Sequence, residues 1–419
     1  MISDATRNRP VLGRDVAGTF SRWTFLRAVC HRGYVLVSGF YFVVEAHLSA
    51  SQLLLLGTVV AGTMVLSDIP TGVWSDTLSR KWPIVIGHVF LGAGMVMTGV
   101  VTAFPLIVVT QMLWGLGWAF STGADVAWVT DELDRPDRIA RVLAVRARWD
   151  LAGQATGMVA FGVLGWAAGL ATATVVSGTA MALLGLFVAA RFTENNFTPT
   201  RERRWNASLS IVRRGLILAR RDHEIRLVLA ATMIFNGASV ISWLFPRQLV
   251  NLGFPNDPLL WYTALGIVSY ALGVGALHIV EARIEGIGVT RRVYALACFV
   301  GVLGLTILAF APDALTGSVG VLLVSGIAFN VTRASSVIWV NRRTTSDVRA
   351  TVHSFLSQAE TVGKSLGGFP LAFLAQAAGS SAAFVAAGAL VAIAGAMVAR
   401  SRADRPNTAM IGAGGSAPR

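Results

Sequence analysis

Twelve apolar stretches follow one another along the chain, and short polar connectors separate most of them. Each stretch has about the 20 mostly apolar residues that a helix needs to cross a bilayer. Backbone polar groups must be hydrogen-bonded inside lipid, so these stretches are expected to be helices. The pattern therefore predicts an all-α membrane protein with twelve transmembrane helices. The predicted spans, numbered one to twelve, are residues 24–46, 52–74, 83–102, 105–128, 143–168, 171–190, 227–249, 259–281, 293–311, 317–339, 352–375 and 380–399.

Composition supports a lipid environment and argues against several other classes of protein. Of the 419 residues, 54% are hydrophobic and 14% are charged, whereas soluble chains carry about 25% charged residues. Cys30 and Cys298 fall in different spans, and no phosphate-binding loop, nucleophile elbow, paired-histidine motif or CxxC occurs. We therefore expect no cofactor, no metal site and no direct coupling to ATP. The polar, basic residues 1–20 predict no cleavable signal peptide.

The net charge of +13 lies mainly on one side of the predicted helices. The connectors after spans 2, 4, 6, 8 and 10 carry pairs or clusters of Lys and Arg. Cytoplasmic connectors are enriched in these residues, so we expect both termini in the cytoplasm of a multi-pass cell-membrane protein. The partner of this charge is then the lipid bilayer and not a nucleic acid. Five connectors of the opposite side contain neither residue: 46–52, 102–105, 168–171, 311–317 and 375–380.

The two halves of the chain look like repeats of six spans. An offset of 210 residues places Gly153 and Gly157 on Gly363 and Gly367. Parallel six-helix repeats are one known transporter design. Ser208–Arg221 is expected to form an amphipathic helix on the inner membrane face, the alternative being a solvated basic linker. The expected order is a cytoplasmic tail, a six-helix bundle, a cytoplasmic central loop, a second six-helix bundle and a disordered tail, over residues 1–22, 23–191, 192–226, 227–400 and 401–419.

The connector between spans 2 and 3 carries a motif. Residues 68–87 read DIPTGVWSDTLSRKWPIVIG. This resembles the loop signature of the major facilitator superfamily, G-x-x-x-D-R-x-G-R-[RK], and DIPTG resembles the EIPTG variant of many bacterial efflux-like members. The resemblance covers the whole chain and implies two pseudo-symmetric six-helix bundles. The residues that match the signature are Gly72, Asp76, Arg80 and Lys81, and the two that depart from it are Thr77 and Ser79.

The resemblance implies a cytoplasmic latch between the two halves. In family members the Asp and Arg of this loop are associated with holding the halves together when the transporter opens outward. By resemblance, Asp76 would meet the start of span 11, and Arg80 would meet an acidic residue at the inner end of span 4, with Asp125 as the candidate. On the residues alone, Gly72 permits a close helix approach. The alternative for Arg80 and Lys81 is that they only enforce topology.

Ionisable residues inside the predicted spans are candidates for proton coupling. A charge at a helix centre costs about 2.5–3.5 kcal/mol, so it usually has a partner or a function. By resemblance, spans 2 and 11 face each other, as do spans 5 and 8. Asp68 would then approach Glu360 or Lys364, and Asp150 would meet His278, so that a carboxylate binds a proton in one state and releases it in the other. Snorkelling or static hydrogen bonds are the alternative.

A third set of residues is predicted to contact the substrate. Snorkelling explains Arg22 and Arg27, but Arg32 lies deeper and would suit an anionic group of a substrate or an acid in the cavity. By resemblance, spans 1, 4, 7 and 10 line a central cavity. Their candidates are Arg32, Tyr34, Gln111, Trp114, Asn236, Asn330 and Arg333.

Together these features predict a secondary active transporter that works by alternating access. We expect a monomer, without enzymatic activity, that carries out proton-coupled export of a small amphipathic organic molecule. Span 5 lacks the Gly-Pro pair of the family's antiporter motif, so that signature does not support proton exchange. Uptake of a metabolite differs only in the sign of the flux. A membrane-embedded transferase would need convergent His, Asp or Glu residues at one membrane face, and a sensor would need a folded soluble domain; the sequence offers neither.

Overall fold

A computed structural model of the protein describes residues 15–199, 222–253, 257–283, 286–344 and 346–400. Within these ranges the regular secondary structure is entirely helical. Three predicted features lie wholly or mostly outside the described residues: the N-terminal tail 1–22, the amphipathic helix Ser208–Arg221 and the C-terminal tail 401–419.

The first half contains seven helices for the six predicted spans. Span 4 is divided because Gly123 adopts φ +86°, a left-handed conformation that glycine adopts without steric cost. The Asp15 side chain caps the first helix by accepting a hydrogen bond from the Gly18 N–H at 2.8 Å. The helices are α1 Val16–Val44, α2 Ala50–Thr77, α3 Lys81–Thr98, α4 Phe104–Ser121, α5 Ala124–Leu133, α6 Pro136–Ala168 and α7 Leu170–Arg191.

The second half departs from ideal helices inside two spans. Span 7 contains a 3₁₀ segment, Val240–Leu244, and span 10 contains a π-helical segment, Leu322–Ala328. Spans 11 and 12 follow each other without a connector and meet at a kink at Gly379, where φ is +85°. They share one label below. The α-helices are α8 His223–Ser239, α9 Phe245–Asn251, α10 Pro258–Arg283, α11 Ile287–Phe310, α12 Ala314–Val321, α13 Phe329–Arg343 and α14 Ser346–Arg400.

The described helices account for the twelve predicted spans. Ten helical stretches are long and apolar enough to cross a membrane. Two further spans complete the set. The first is α1, which has 29 residues but whose apolar sequence is interrupted by basic side chains. The second arises because α14 is counted once although Gly379 divides it into two spans. The prediction of an all-α membrane protein is confirmed.

The described helices belong to two compact units. In the first, α1 packs along α6, and α3 packs along both α4 and α7. In the second, α8 packs along α14, while α11 packs against α13 and α14. Spans 1 and 5 thus pair as spans 7 and 11 do, which fits the repeat. Of the described residues, 257–267 group with the first unit, so the exact bundle boundaries remain a prediction.

The glycines that repeat at an offset of 210 residues have the same role in both units. A Cβ on Gly157 would overlap the Val29 carbonyl of α1, and a Cβ on Gly367 would overlap the backbone of Gly237 in α8. Spans 5 and 1, like spans 11 and 7, therefore approach through bare backbone, as small residues permit in membranes.

Gly157→Ala is expected to lower stability by about 1–3 kcal/mol, because the added methyl group forces α1 and α6 apart. The measurement is the unfolding temperature in detergent. Gly275→Ala in α10 is the control, since an added Cβ there meets nothing within 4 Å, and its unfolding temperature should not fall. Equal effects of the two substitutions would contradict the close approach at Gly157.

Candidate functional site

The loop between α2 and α3 is organised around Arg80. Its guanidinium forms an ion pair with Asp76, one turn earlier on α2, and its Nε donates to Asp131 Oδ2 at 3.1 Å. The prediction that Arg80 meets Asp125 is therefore wrong. Asp131 lies six residues further along α5, about 9 Å nearer its C-terminal end, and so within reach of the loop.

Asp125 belongs instead to a buried cluster of charges in the first unit. Its side chain is 3% exposed, accepts a hydrogen bond from Arg146 on α6 and lies 3.9 Å from Arg27 on α1. Arg27 is also buried, and its guanidinium lies between the rings of Trp23 and Trp118, 4.7 and 5.3 Å from their centroids. The prediction that Arg27 snorkels to the surface is wrong, because these aromatic rings and the Asp125 carboxylate hold it inside.

A residue that the sequence did not indicate completes the loop. Glu194, just beyond α7, accepts hydrogen bonds from the backbone N–H groups of Arg80 and Lys81, the latter at 3.0 Å. The Ser79 hydroxyl donates to the same carboxylate at 2.8 Å and accepts from the Trp82 N–H at 3.0 Å. Glu194 and Ser79 together cap the N-terminus of α3, where free N–H groups favour an anion. Ser79, which replaces the glycine of the family signature, thus has a structural role at the start of α3.

Glu132 fastens the same segment to α5. Its carboxylate accepts hydrogen bonds from the Thr193 hydroxyl and from the backbone and side-chain amides of Asn195, the latter two at 3.0 and 2.8 Å. Trp128 of α5 donates to the Thr193 carbonyl at 2.7 Å and stacks on Phe192, with 3.8 Å between ring centroids. The segment after α7 is therefore fixed both to α5 and, through Glu194, to the loop between α2 and α3, which is called the motif loop below. The signal in the sequence was an acidic residue close to the end of span 6.

Glu194→Ala is expected to increase amide hydrogen exchange at Arg80 and Lys81 by roughly ten-fold, because each loses a charge-assisted acceptor worth about 1.5–3 kcal/mol. Hydrogen exchange followed by mass spectrometry measures this. Asn196→Ala is the control, since Asn196 bonds Glu132 at 3.4 Å but not the motif loop. Unchanged protection in Glu194→Ala would contradict the cap.

Gly72 has a different setting from the one predicted. A Cβ at this position meets no described atom within 4 Å, and the residue is exposed. The close contact of α2 with α4 lies next to it, where the Thr71 hydroxyl donates to the Ala119 carbonyl at 3.2 Å. The expectation that Gly72 permits a close helix approach is therefore wrong for this structure. Lys81 is partly exposed, with its ammonium 5.7 Å from the centroid of the Trp82 ring.

Two predicted cavity residues, Tyr34 and Gln111, lie together in a closed polar layer between α1, α3 and α4. Gln111 Nε2 donates to the Tyr34 hydroxyl at 2.8 Å, and that hydroxyl lies 3.1 Å from the Thr98 hydroxyl. Thr98 in turn donates to Thr110 at 2.9 Å. Tyr34 is 2% and Gln111 1% exposed. Their hydrogen-bonding capacity is largely used within the bundle, so in this structure they pack the first unit.

Arg32 and Trp114 remain closer to the accessible surface. Both are partly exposed, unlike Tyr34 and Gln111. Trp114 stacks on His31 of α1, with ring centroids 5.5 Å apart and an angle of 11° between the planes. His31 was not among the predicted cavity residues. The structure makes it a direct neighbour of a candidate.

Three predicted residues come together in the second unit. Arg333 of α13 has its Nε 3.8 Å from Glu360 Oε1 of α14, and Lys364 follows Glu360 by one helical turn. Arg333 is 74% exposed at its side chain, whereas Glu360 is 19% exposed. One carboxylate therefore lies near two cations well inside apolar spans. The sequence had assigned Arg333 to the substrate and the other two to proton coupling.

The two candidate asparagines bond to the backbones of their own spans. Asn330 Nδ2 donates to the carbonyls of Ser325 and Gly326 at 2.9 and 3.0 Å, both in the π-helical segment. Asn236 Nδ2 donates to the Thr232 carbonyl at 2.9 Å. The Asn330 amide therefore stabilises an irregular segment of a kind that often occurs at functional sites.

Three further coupling candidates lie in α2, α6 and α10. Asp150 accepts a hydrogen bond from Gln154 Nε2 at 2.6 Å, one turn along α6. Asp68 is partly buried in α2, and His278 is exposed in α10. The pairs of Asp150 with His278 and of Asp68 with Glu360 or Lys364 stay predictions.

A buried ion pair in the second unit was not anticipated. Arg291 forms an ion pair with Glu224, with side chains 6% and 2% exposed. Trp339 Nε1 donates to the other oxygen of Glu224 at 3.1 Å, and the Arg291 guanidinium lies 5.4 Å from the Trp339 ring centroid. An offset of 211 residues relates Arg291 to Arg80 and Trp339 to Trp128. The repeat therefore preserves an arginine and a tryptophan but changes the acidic partner.

Several solved transporters share this fold. The chain superposes on the nucleoside transporter NupG with a TM-score of 0.74 at 13% identity, covering 93% of this chain and 100% of that one. A bacterial homologue of the human lysosomal transporter Spinster, inward-facing and unoccupied, gives 0.71 at 14% identity, covering 93% and 97%. The peptide transporter POT gives 0.70 at 13% identity, covering 94% and 95%. At such identities the likeness concerns the fold alone.

Sequence comparison gives the family. No curated protein sequence matches the chain. The profile of the Major Facilitator Superfamily matches residues 24–368, which is most of the chain and includes the motif loop, the Asp125 cluster and the Arg333–Glu360–Lys364 group. The chain therefore belongs to the major facilitator superfamily of multi-pass membrane transporters.

Proposed function

We propose that this protein is a proton-coupled secondary transporter that exports a small amphipathic organic molecule by alternating access. The observation that carries the proposal is the group formed by Arg333, Glu360 and Lys364 within apolar spans. Such residues inside a membrane mark ion and substrate pathways more often than structural positions.

The exposure of Arg333 supports a water-filled path beside α13. Arg333 lies ten residues before the end of that helix at Arg343, which is about 15 Å along its axis. A guanidinium facing hydrocarbon at such a depth costs about 2.5–3.5 kcal/mol. A side chain that is 74% exposed therefore favours water over lipid as its surroundings.

Glu360 is the group best suited to carry the proton. It is the acidic side chain of this group, and its electrostatic surroundings change whenever the two cations move relative to it. The 3.8 Å separation from Arg333 exceeds hydrogen-bonding distance, so a small movement of α13 against α14 alters the interaction. Asp68, Asp150 and His278 are secondary candidates for the same role.

The motif loop supplies the proposed gate. Asp76, Arg80 and Asp131 form one charge network, which Glu194 connects to the segment after α7. In the proposed cycle Asp76 exchanges its partners for the start of span 11 when the cytoplasmic side closes. The transporter is proposed to act as a monomer in the cell membrane, with bundles 23–191 and 227–400 and with cytoplasmic segments 1–22, 192–226 and 401–419.

The direction of transport is proposed from the DIPTG sequence at the end of span 2, which resembles that of efflux-like members. Two of the solved structures named above are of a nucleoside transporter and a peptide transporter, so organic solutes of that size are reasonable first compounds to test. Uptake would use the same residues with the opposite flux.

The test is a compound panel in proteoliposomes with an imposed pH gradient. The panel contains nucleosides, dipeptides and amphipathic aromatic compounds, and gradients of both signs are applied. Export requires that solute moves against the proton flux in the same vesicles. Solute movement in the same direction as the protons would replace export by uptake. Solute movement that depends neither on the pH gradient nor on substitution of Glu360 would overturn proton coupling.

A further inference from the structure

A cluster of mutually contacting flat groups lies between α1 and α4 in the first unit. The Trp118 ring lies 4.6 Å from His31, and His31 lies 5.5 Å from Trp114, measured between centroids. Trp114 and Trp118 are themselves stacked at 6.1 Å and 22°. They are four residues apart on α4, so they share a face of the helix. His31 of α1 lies against both.

The Trp118 side of this cluster is closed by protein. The Arg27 guanidinium covers the Trp118 ring at 5.3 Å, and on its other side it meets Trp23 at 4.7 Å. Trp23 is fully buried, and its Nε1–H donates to His88 at 3.2 Å. The Trp23 ring is therefore packed and its N–H is hydrogen-bonded, so this side of the cluster leaves no group to bind a ligand.

On the Trp114 side the cluster also meets the Tyr34 ring, with 6.0 Å between the centroids of Tyr34 and Trp114, but two polar atoms are left unused. Trp114 Nε1 and His31 Nε2 are both inaccessible to bulk water and have no hydrogen-bond partner among the described residues. Neighbouring Tyr34 and Gln111 are satisfied by each other and by threonines. Buried N–H groups without acceptors are rare in folded proteins, and each one calls for an explanation. Here the two atoms belong to rings that remain partly exposed.

We propose that His31, Trp114 and Trp118 form a binding site for a planar aromatic group of the substrate that bears a carbonyl or ring-nitrogen acceptor. This inference rests on the proposed transport function and specifies the substrate class for it. The ligand ring stacks on the partly exposed rings, where offset stacking is favourable. Trp114 Nε1–H has no partner among the described residues but is covered in this structure, so a neighbouring side chain moves when the ligand's acceptor takes this hydrogen bond.

The geometry favours an aromatic over an aliphatic ligand for two reasons. A flat ring matches rings that already lie within 11° to 32° of one another, whereas a puckered ring touches them at few atoms. Indole donates a hydrogen bond and cannot accept one, so Trp114 selects an acceptor on the ligand. Pockets of this type combine aromatic walls with a few fixed polar groups.

The experiment compares two neutral probes, 2-naphthamide and its saturated counterpart decahydronaphthalene-2-carboxamide, on the full-length protein in detergent. Binding is measured by equilibrium dialysis and by the rise in unfolding temperature, since a ligand stabilises the state that it binds. 2-Naphthamide is expected to bind and stabilise the wild type, and the saturated probe is not. Trp114→Ala is expected to weaken binding roughly ten-fold.

Two variants keep the test decisive. Trp114→Phe retains a ring but removes the N–H, and it serves as the test variant if Trp114→Ala does not fold. Naphthalene, which lacks an acceptor, is added as a third probe here. The preference of the wild type for 2-naphthamide over naphthalene should be lost in Trp114→Phe. Trp23→Phe is the matched control on the closed side of the cluster and should bind as the wild type does. Equal binding of both probes, binding unaffected by either Trp114 variant, or no binding to the wild type would each overturn the inference.

The assay needs neither vesicles nor a proton gradient. Binding without gradient-driven transport would therefore count against the proposed function alone. Proton-coupled transport without aromatic binding would count against this site alone.

Discussion

Glu224→Ala is expected to be among the most destabilising single substitutions in this protein. It removes the carboxylate that faces the buried Arg291 guanidinium and accepts the Trp339 indole N–H. Taking one partner from a buried ion pair costs about 3–5 kcal/mol, because the remaining charge is left in a low-dielectric interior. Thermal unfolding in detergent should show a large fall in the midpoint, together with a lower yield of folded protein.

Asp131→Ala is the matched control. Asp131 pairs with Arg80, which occupies the position of Arg291 in the first repeat, but the side chains are 33% and 15% exposed. An ion pair in contact with solvent contributes about 0–1 kcal/mol, so this variant should unfold close to the wild type. In addition, Glu224→Leu combined with Arg291→Met should cost less than Glu224→Ala, since neither charge is then buried alone. Similar losses in Glu224→Ala and Asp131→Ala would show that burial is not the cause.

The spans were predictable from sequence because a membrane helix needs about 20 apolar residues in a row and satisfies its backbone hydrogen bonds within itself. Both requirements can be read from a short stretch of sequence. The interruptions inside them were less visible. Gly123 and Gly379 adopt positive φ angles, but both lie among many glycines that do not. A single sequence does not distinguish a glycine that breaks a helix from one that packs it, as Gly157 does.

Membership of the site was more predictable than its pairing. Arg333, Glu360 and Lys364 were identified because a charge within an apolar span is conspicuous. Their assembly depended on which helices are neighbours, which span order alone does not give. The choice of Asp131 over Asp125 for Arg80 depended on a shift of less than two helical turns. Glu194 and Glu224 were missed because they lie at the edges of spans, where an acidic residue is ordinary.

The repeat explains why some features occur twice and others once. Both units use backbone contact at Gly157 and Gly367, and both carry a tryptophan, Trp128 or Trp339, at the same sequence separation from the repeated arginine. The acidic partner of the arginine differs, so one pair is partly exposed and the other is buried. We infer that the partly exposed copy at Arg80 is free to exchange partners, whereas the buried copy holds the second unit together.

Glu360→Gln is expected to uncouple transport from the proton gradient. Glutamine has no ionisable group, so the substituted side chain cannot bind and release a proton and no longer links solute movement to proton movement. Accumulation driven by an imposed pH gradient should fall roughly ten-fold or more. Exchange of labelled for unlabelled solute, which needs no net proton movement, should persist and lose its dependence on pH.

Asp313→Asn is the matched control, because it makes the same acid-to-amide change in an exposed cap of α12. There the side chain accepts the Thr316 N–H at 2.9 Å, and this backbone hydrogen bond lowers the pKa of Asp313. Asparagine caps helices about as well as aspartate, so gradient-driven transport should be retained. If Glu360→Gln also keeps gradient-driven accumulation and a wild-type pH profile, the proton is carried elsewhere, and Asp150→Asn and His278→Ala become the decisive variants. If it loses exchange as well, Glu360 serves binding or folding, and its role as the coupling group is refuted.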